Sequence, residues 1–218
     1  MKDMKPMKPS KSPFFAMMQR MRYIRRWALM RNTQGENLQE HSLQVAVTAH
    51  ALAVLRRERF PTAADGSPRV AVDPDRVATM ALFHDAPEIL VGDLPTPIKY
   101  FNPAIKSAYK AVEGVATAKL VAMLPDDLRP TYAALLAPDR SDAATAEAAA
   151  LVKAADRLCA YTKCIEEERA GNTEFRTAAK TILASIESIA MPEVDCFLKE
   201  FVPAFSLNLD ELESLTQP

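Results

Sequence analysis

Glycine is scarce in this chain, with five residues in 218. Tight hairpins and strand bends draw on glycine for positive φ, so a largely β architecture is poorly supplied. Cysteine is as thin. Cys159, Cys164 and Cys196 form no Cys-x-x-Cys pair and no even set, which argues against a disulfide frame or a cysteine zinc site and fits a reducing cytoplasm. No apolar run approaches the roughly 18 residues that span a bilayer. The basic N-terminus also lacks the apolar stretch of a signal peptide, so no membrane partner is expected. An excess of one charge is missing too. The formal net charge is -1, which gives no general attraction to the backbone of long nucleic acids.

What is present is ordinary globular material, 49% hydrophobic and 25% charged, enough for one domain with a real core. Abundant Ala, Leu, Met, Lys, Arg and Glu favour helices, so the expected fold class is all-α. Residues 1–12 carry Lys2, Lys5, Lys8 and Lys11 with Pro6 and Pro9, and read as a disordered basic tail ahead of a domain over 13–218. From Phe14, Met17, Met21, Ile24 and Ala28 recur at steps of three and four. This predicts a first helix, with Trp27 beside Ile24 and Arg20, Arg22, Arg25 and Arg26 on its other side.

Asn37 stands three residues before Glu40, an N-cap with its capping-box partner. The helix that follows, 38–55, is apolar almost all round and reads as central, enclosed by others. Asp73-Pro74 opens a third helix, and Pro87 forces a break just after His84-Asp85. Residues 92–97, with Pro95 and Pro97 around Thr96, are irregular and suited to one wall of a pocket. Further helices are predicted over 104–123, 126–136, 142–169, 173–189 and 193–201.

The chemistry sits where ionisable residues interrupt apolar helices. His84 and Asp85 close the run Ala78-Thr79-Met80-Ala81-Leu82-Phe83, where an unpaired carboxylate is costly to bury and a divalent cation would remove the cost. His41 lies in the first turn of the second helix. His50, nine residues on, falls on the opposite side at about 100° per residue and reads as structural. Asp156 has Val152 and Cys159 as helical neighbours, so it points into or beside a packed stripe. The plainer alternative is a surface pair with Lys153 or Arg157. His41, His84, Asp85 and Asp156 together offer two imidazoles and two carboxylates, which suit manganese, cobalt, iron or zinc better than calcium.

A lone histidine, then His-Asp, then a distant aspartate resembles the HD superfamily of helical-bundle phosphohydrolases. The surrounding words are more specific. Arg26-Trp27, Glu40-His41-Ser42-Leu43, His84-Asp85-Ala86-Pro87-Glu88, Gly92-Asp93-Leu94-Pro95-Thr96-Pro97 and Ala155-Asp156 are similar to those of the bacterial HD-domain 5'-deoxynucleotidases, from about Phe14 to the Phe201-Val202-Pro203 segment. The resemblance implies a cytoplasmic homodimer that removes the 5'-phosphate from deoxyribonucleoside monophosphates with one divalent metal ion, cobalt, manganese, zinc or similar. It implies that His41, His84, Asp85 and Asp156 hold the metal and that His41 also meets substrate. Arg26, Trp27, Asp93, Leu94, Pro95 and Thr96 would contact substrate, with Arg26 orienting the phosphate. Catalysis would fall to Arg26, to Glu88 handling the proton of the attacking water, and to Asp93 on the sugar hydroxyl or leaving oxygen. Two rivals remain: an HD hydrolase of deoxynucleoside triphosphates or guanosine polyphosphates, and an HD module that binds nucleotide without turnover.

Overall fold

The computed structural model describes residues 11–99 and 101–215, so the basic-tail assignment lies outside it except for Lys11 and Ser12. The Ser12 hydroxyl donates to the Met123 carbonyl at 2.6 Å. The described residues are helical, as the composition predicts. They hold no strand, and the β-type pairing is confined to single bridges between Arg25 and Asn37 and between Thr62 and Pro68. None of the helices is long and apolar enough to cross a membrane.

The helices are α1 (Phe14–Met18), α2 (Leu38–Arg59), α3 (Pro74–Phe83), α4 (Glu88–Val91), α5 (Thr96–Lys99), α6 (Pro103–Ala122), α7 (Arg129–Leu136), α8 (Ala143–Arg169), α9 (Arg176–Glu187), α10 (Pro192–Glu200) and α11 (Leu209–Ser214). Three 3-10 turns join them, at Gln19–Tyr23, Thr173–Phe175 and Val202–Ser206.

The caps of α2 form as the residues require. Asn37 Oδ1 accepts from the amides of Gln39 and Glu40, and Glu40 returns a carboxylate oxygen to the Asn37 amide. α2, α3 and α8 then share one core. Val45, Ala49 and Leu52 of α2 meet Val77 and Met80 of α3 and Leu151, Ala155 and Leu158 of α8, closed below by Ile186, Val194 and Phe197. The alanines let the helix axes approach closely, while each fully buried Leu or Val contributes about 1.5–3 kcal/mol.

Two expectations are corrected. α2 is central but not enclosed, since Leu43 and Val47 are exposed on the face that α3, α8 and α10 leave uncovered. The first helix also does not run through Trp27. It tightens into the 3-10 turn, and Ile24 then adopts extended backbone with φ -87° and ψ 113°. The Leu38 amide donates to the Ile24 carbonyl at 2.9 Å and the Arg26 amide to the Glu36 carbonyl at 3.1 Å. Pairing with the entry to α2 replaces helical bonds that the apolar spacing alone suggested.

Candidate active site

Three helices deliver the site. His41 comes from the first turn of α2, His84 is the C-cap of α3 with Asp85 in the turn beyond it, and Asp156 lies midway along α8. α3 stops at Phe83, slightly earlier than the sequence suggests, because Pro87 lacks an amide donor and restricts Ala86. Residues 84–87 form a turn that passes directly into α4. One potential ligand atom from each of these four side chains lies within 4.8 Å of the others. His41 Nε2 is 3.1 Å from Asp156 Oδ1 and 3.8 Å from Asp85 Oδ2, and His84 Nε2 is 3.0 Å from Asp85 Oδ2. The alternative pairing of Asp156 is not seen, because Arg157 donates instead to the Ser185 carbonyl.

The donor set fits a divalent cation. His84 Nδ1 sits 2.7 Å from the Ala81 carbonyl, and an N–H donated there fixes the tautomer that leaves a lone pair on Nε2. That Nε2 is buried and has no aligned hydrogen-bond partner among the described residues, despite its closeness to Asp85. Burial would lower the His84 pKa, but Asp85 and then Asp156 outweigh it and push it up to about 9. Burial works against the Asp85 charge, yet His84, His41 and Arg26 hold that carboxyl well below the usual carboxylate range. The pocket therefore favours positive charge at the point where the four side chains meet.

Glu88 opens α4 facing this cluster. Burial, then Asp85 and Asp93, push its carboxyl up to about 9, and its Oε2 is a buried atom with no hydrogen-bond partner among the described residues. Gly92, at φ 76°, ends α4 with a backbone turn that side-chain-bearing residues rarely adopt, and releases the segment carrying Asp93. Burial raises the Asp93 pKa while Arg26 opposes it, so Asp93 lies within electrostatic reach of the site. Leu94 and Pro95 are half-buried. Thr96 is exposed and begins α5, so the expected irregular stretch ends two residues early, where Ile98 and Lys99 amides return to the Pro95 carbonyl. The Tyr109 hydroxyl on α6 donates to the Gly92 carbonyl at 2.9 Å and Lys99 pairs with Glu113 at 2.9 Å, which ties the segment to α6.

Arg26 and Trp27 reach the site from a loop rather than from a helix face. Arg26 Nη1 is 3.6 Å from Asp85 Oδ2. Trp27 adopts φ 58°, a left-handed conformation that is uncommon for a bulky residue and clusters at functional sites. Its ring packs on Phe175 with centroids 5.3 Å apart. The sequence reading missed Glu36, which is 6% exposed. Glu36 Oε2 accepts from Trp27 Nε1 at 2.8 Å and Arg26 Nε at 3.2 Å, and Oε1 is 3.4 Å from His41 Nδ1. Adjacent to a glycine and an N-cap, it carried only a loop signature. Glu167 was missed as well: buried on α8, it accepts from the Thr33 amide and hydroxyl, the Gln34 amide, Lys163 and Asn172. His50 stays apart, half-exposed beside Asp75.

Residues 13–205 match the 5'-deoxynucleotidase YfbR-like family. The 5'-deoxynucleotidase of Shewanella oneidensis is 47% identical over 204 residues, covering 94% of this chain and 99% of that protein. That of Erwinia tasmaniensis is 49% identical over 201 residues, covering 92% and 96%. Among solved structures, an HD-domain phosphohydrolase from Listeria innocua superposes with a TM-score of 0.72 at 22% identity, covering 92% of this chain and 91% of that one. A cyanophage S-2L HD phosphohydrolase bound to dA and one catalytic zinc ion gives 0.56 at 17% identity, covering 92% and 98%. At these identities the structural likeness shows the fold, an all-α HD domain.

Proposed function

This chain belongs to the YfbR-like 5'-deoxynucleotidase family, and on that premise we propose that it hydrolyses deoxyribonucleoside 5'-monophosphates to nucleoside and phosphate at the His41, His84, Asp85 and Asp156 cluster. The observation that carries the reading is the approach of four potential ligand atoms to within 4.8 Å of one another, next to an arginine and a proton-holding carboxyl. A divalent cation held by these residues supplies Lewis acidity toward a phosphoryl oxygen and makes water a nucleophile near neutral pH. The two-nitrogen, two-oxygen set suits manganese, cobalt, iron or zinc.

Arg26 has its Nε edge on Glu36 and its Nη1 end on the Asp85 side, so its terminal nitrogens are presented to a phosphate lying against the cluster. It also stabilises charge that builds on the phosphoryl oxygens. Glu88, which holds its proton near neutral pH, gives it to the departing 5'-oxygen, and the proton of the attacking water restores it, so the hydrolysis balances without an external acid. Asp93, Leu94, Pro95 and Thr96 form the wall against the sugar, with Asp93 on its hydroxyl or on the leaving oxygen. Trp27, its ring backed by Phe175, packs on the deoxyribose face.

The family premise extends to a single HD domain after the basic tail and to a cytoplasmic homodimer. The apolar residues Leu43, Val47 and Leu82 exposed on α2 and α3 support an interface between copies, which light scattering checks. The test of activity is phosphate release from each deoxy and ribo 5'-monophosphate under manganese, cobalt, zinc and chelator. His84→Ala is expected to lower release about a thousand-fold or more, since the cation accounts for several kcal/mol of the barrier. Normal turnover by a variant that holds no metal overturns the reading. Pyrophosphate released from a triphosphate, with no action on monophosphates, would favour the other HD hydrolases.

A further inference from the structure

We propose that Glu36 is a positioning residue that joins the substrate-facing pair Arg26 and Trp27 to the metal-facing His41, so that the two ends of the site are set by one carboxylate. The inference rests on the proposed function for its meaning in catalysis, but its physical content is independent of turnover.

The geometry is unusual for a loop glutamate. Glu36 is nearly inaccessible to water, and an isolated carboxylate there would be costly. Its oxygens instead meet three donors from three site residues. Oε2 holds Trp27 Nε1 at 2.8 Å and Arg26 Nε at 3.2 Å, while Oε1 faces His41 Nδ1 at 3.4 Å. His41 Nδ1 is buried without an aligned hydrogen-bond partner among the described residues, so Glu36 is the carboxylate available to orient it. An imidazole that offers Nε2 to a cation must carry its proton on Nδ1, and a carboxylate on that side fixes the tautomer and makes Nε2 more basic. The backbone enforces the arrangement, since the Arg26 amide donates to the Glu36 carbonyl and Arg25 bridges Asn37. Glu167, on α8, pins Thr33 and Gln34 just upstream.

Trp27 is the single tryptophan of the chain, which makes its emission a direct readout. Excited indole moves electron density from the pyrrole to the benzo ring, so a carboxylate on Nε1 lowers the emission energy. Zinc is the probe, being closed-shell and free of paramagnetic quenching. In the wild-type chain, zinc bound at His41 draws on the Glu36 charge and is expected to move Trp27 emission to shorter wavelength, saturably. Glu36→Gln is expected to emit at shorter wavelength before zinc is added and to lose the zinc response. By calorimetry it should bind zinc about 10–100-fold more weakly. KM for a deoxyribonucleoside monophosphate should rise together with a fall in kcat, because both ends of the site are loosened.

Far-ultraviolet circular dichroism verifies that the variant is folded. If Glu36→Gln does not fold, Glu36→Asp keeps the charge but withdraws it by a methylene, and the same losses are expected at smaller size. A folded variant with wild-type zinc affinity and unchanged Trp27 emission overturns the proposal. Wild-type protein that binds zinc and shifts its emission yet releases no phosphate would instead count against the proposed activity while leaving the role of Glu36 standing.

Discussion

A histidine in a buried cluster must commit one nitrogen to a proton before the other can serve as a ligand, and here each commitment is made by a different part of the chain. Ala81, one helical turn back, settles His84. His41 depends on Glu36, five residues earlier in the sequence but brought beside it by the turn into α2. Trp27 shows the same dependence at the level of one backbone torsion. Its φ of 58° is held by the Met30 amide on its carbonyl at 2.9 Å, by Glu36 on its indole, and by Phe175 against its ring. A ring held this way is a rigid wall, suited to rejecting an extra hydroxyl on the sugar. Trp27→Ala is therefore expected to reduce the ratio of kcat/KM for deoxy over ribo monophosphates about tenfold or more. Assay of matched deoxy and ribo pairs checks this, and an unchanged ratio removes the tryptophan from sugar selection.

At the scale of elements, α8 does two separate jobs. Its middle presents Asp156 to the cluster, and its C-terminal turns hold Lys163 and Glu167, which gather the 31–34 loop through hydrogen bonds of 2.7–3.2 Å. Glu167→Ala removes the acceptor of the Thr33 and Gln34 amides and one of two acceptors of the buried Lys163 and Asn172 side chains, which keep the Gln34 and Arg31 carbonyls, at about 1–3 kcal/mol for a buried group left unmet. The expected result is a lower denaturant midpoint and faster hydrogen exchange at Thr33 and Gln34, with the α2–α3–α8 core amides little affected. Uniform loosening of the whole chain would argue against a local anchoring role. The helices themselves were legible. Asn37 with Glu40 and Asp73-Pro74 mark their starts by residue chemistry, and each forms the expected cap. The segment from Gln19 to Trp27 was not legible, because Met21 and Ile24 pack in the apolar cluster with Leu38 and Ile89 whether the backbone is helical or extended. Periodicity reports which side chains are buried, and the hydrogen-bond partners of the backbone were 36–38, out of reach of a local pattern.

For the molecule as a whole, buried ionic clusters away from the candidate site add to the response to acid that the depressed carboxyl of Asp85 gives within it. Burial works against the charge of Glu193, but Arg69 and Arg56 at 2.6–2.7 Å hold its pKa below the usual 4.5. Glu167 is held down in the same direction by Lys163 and Thr33. A depressed folded-state pKa stabilises the protein fully above the unfolded value of 4.5 and ceases to do so as pH falls through the lower folded value. Stability is thus expected to hold from neutral pH down to the ordinary carboxylate range and to drop below it. Glu193→Gln should flatten that acid limb while lowering stability at neutral pH by about 3 kcal/mol, as when one partner of a buried pair is removed. Urea midpoints across pH check both parts, and an acid limb unchanged by the substitution would show that Glu193 does not contribute to it. By itself the sequence determined the all-α class, most helix starts, and the residue types available to a cation, since helix propensity, caps and ligand chemistry are local properties of side chains. Only the tertiary structure decided that His41, His84, Asp85 and Asp156 meet, that Glu36 lies beside His41, and that Glu167 anchors the loop at Thr33 and Gln34. Burial and proximity between residues more than a hundred positions apart arise when α2, α3 and α8 pack on one core, and no window of sequence contains them.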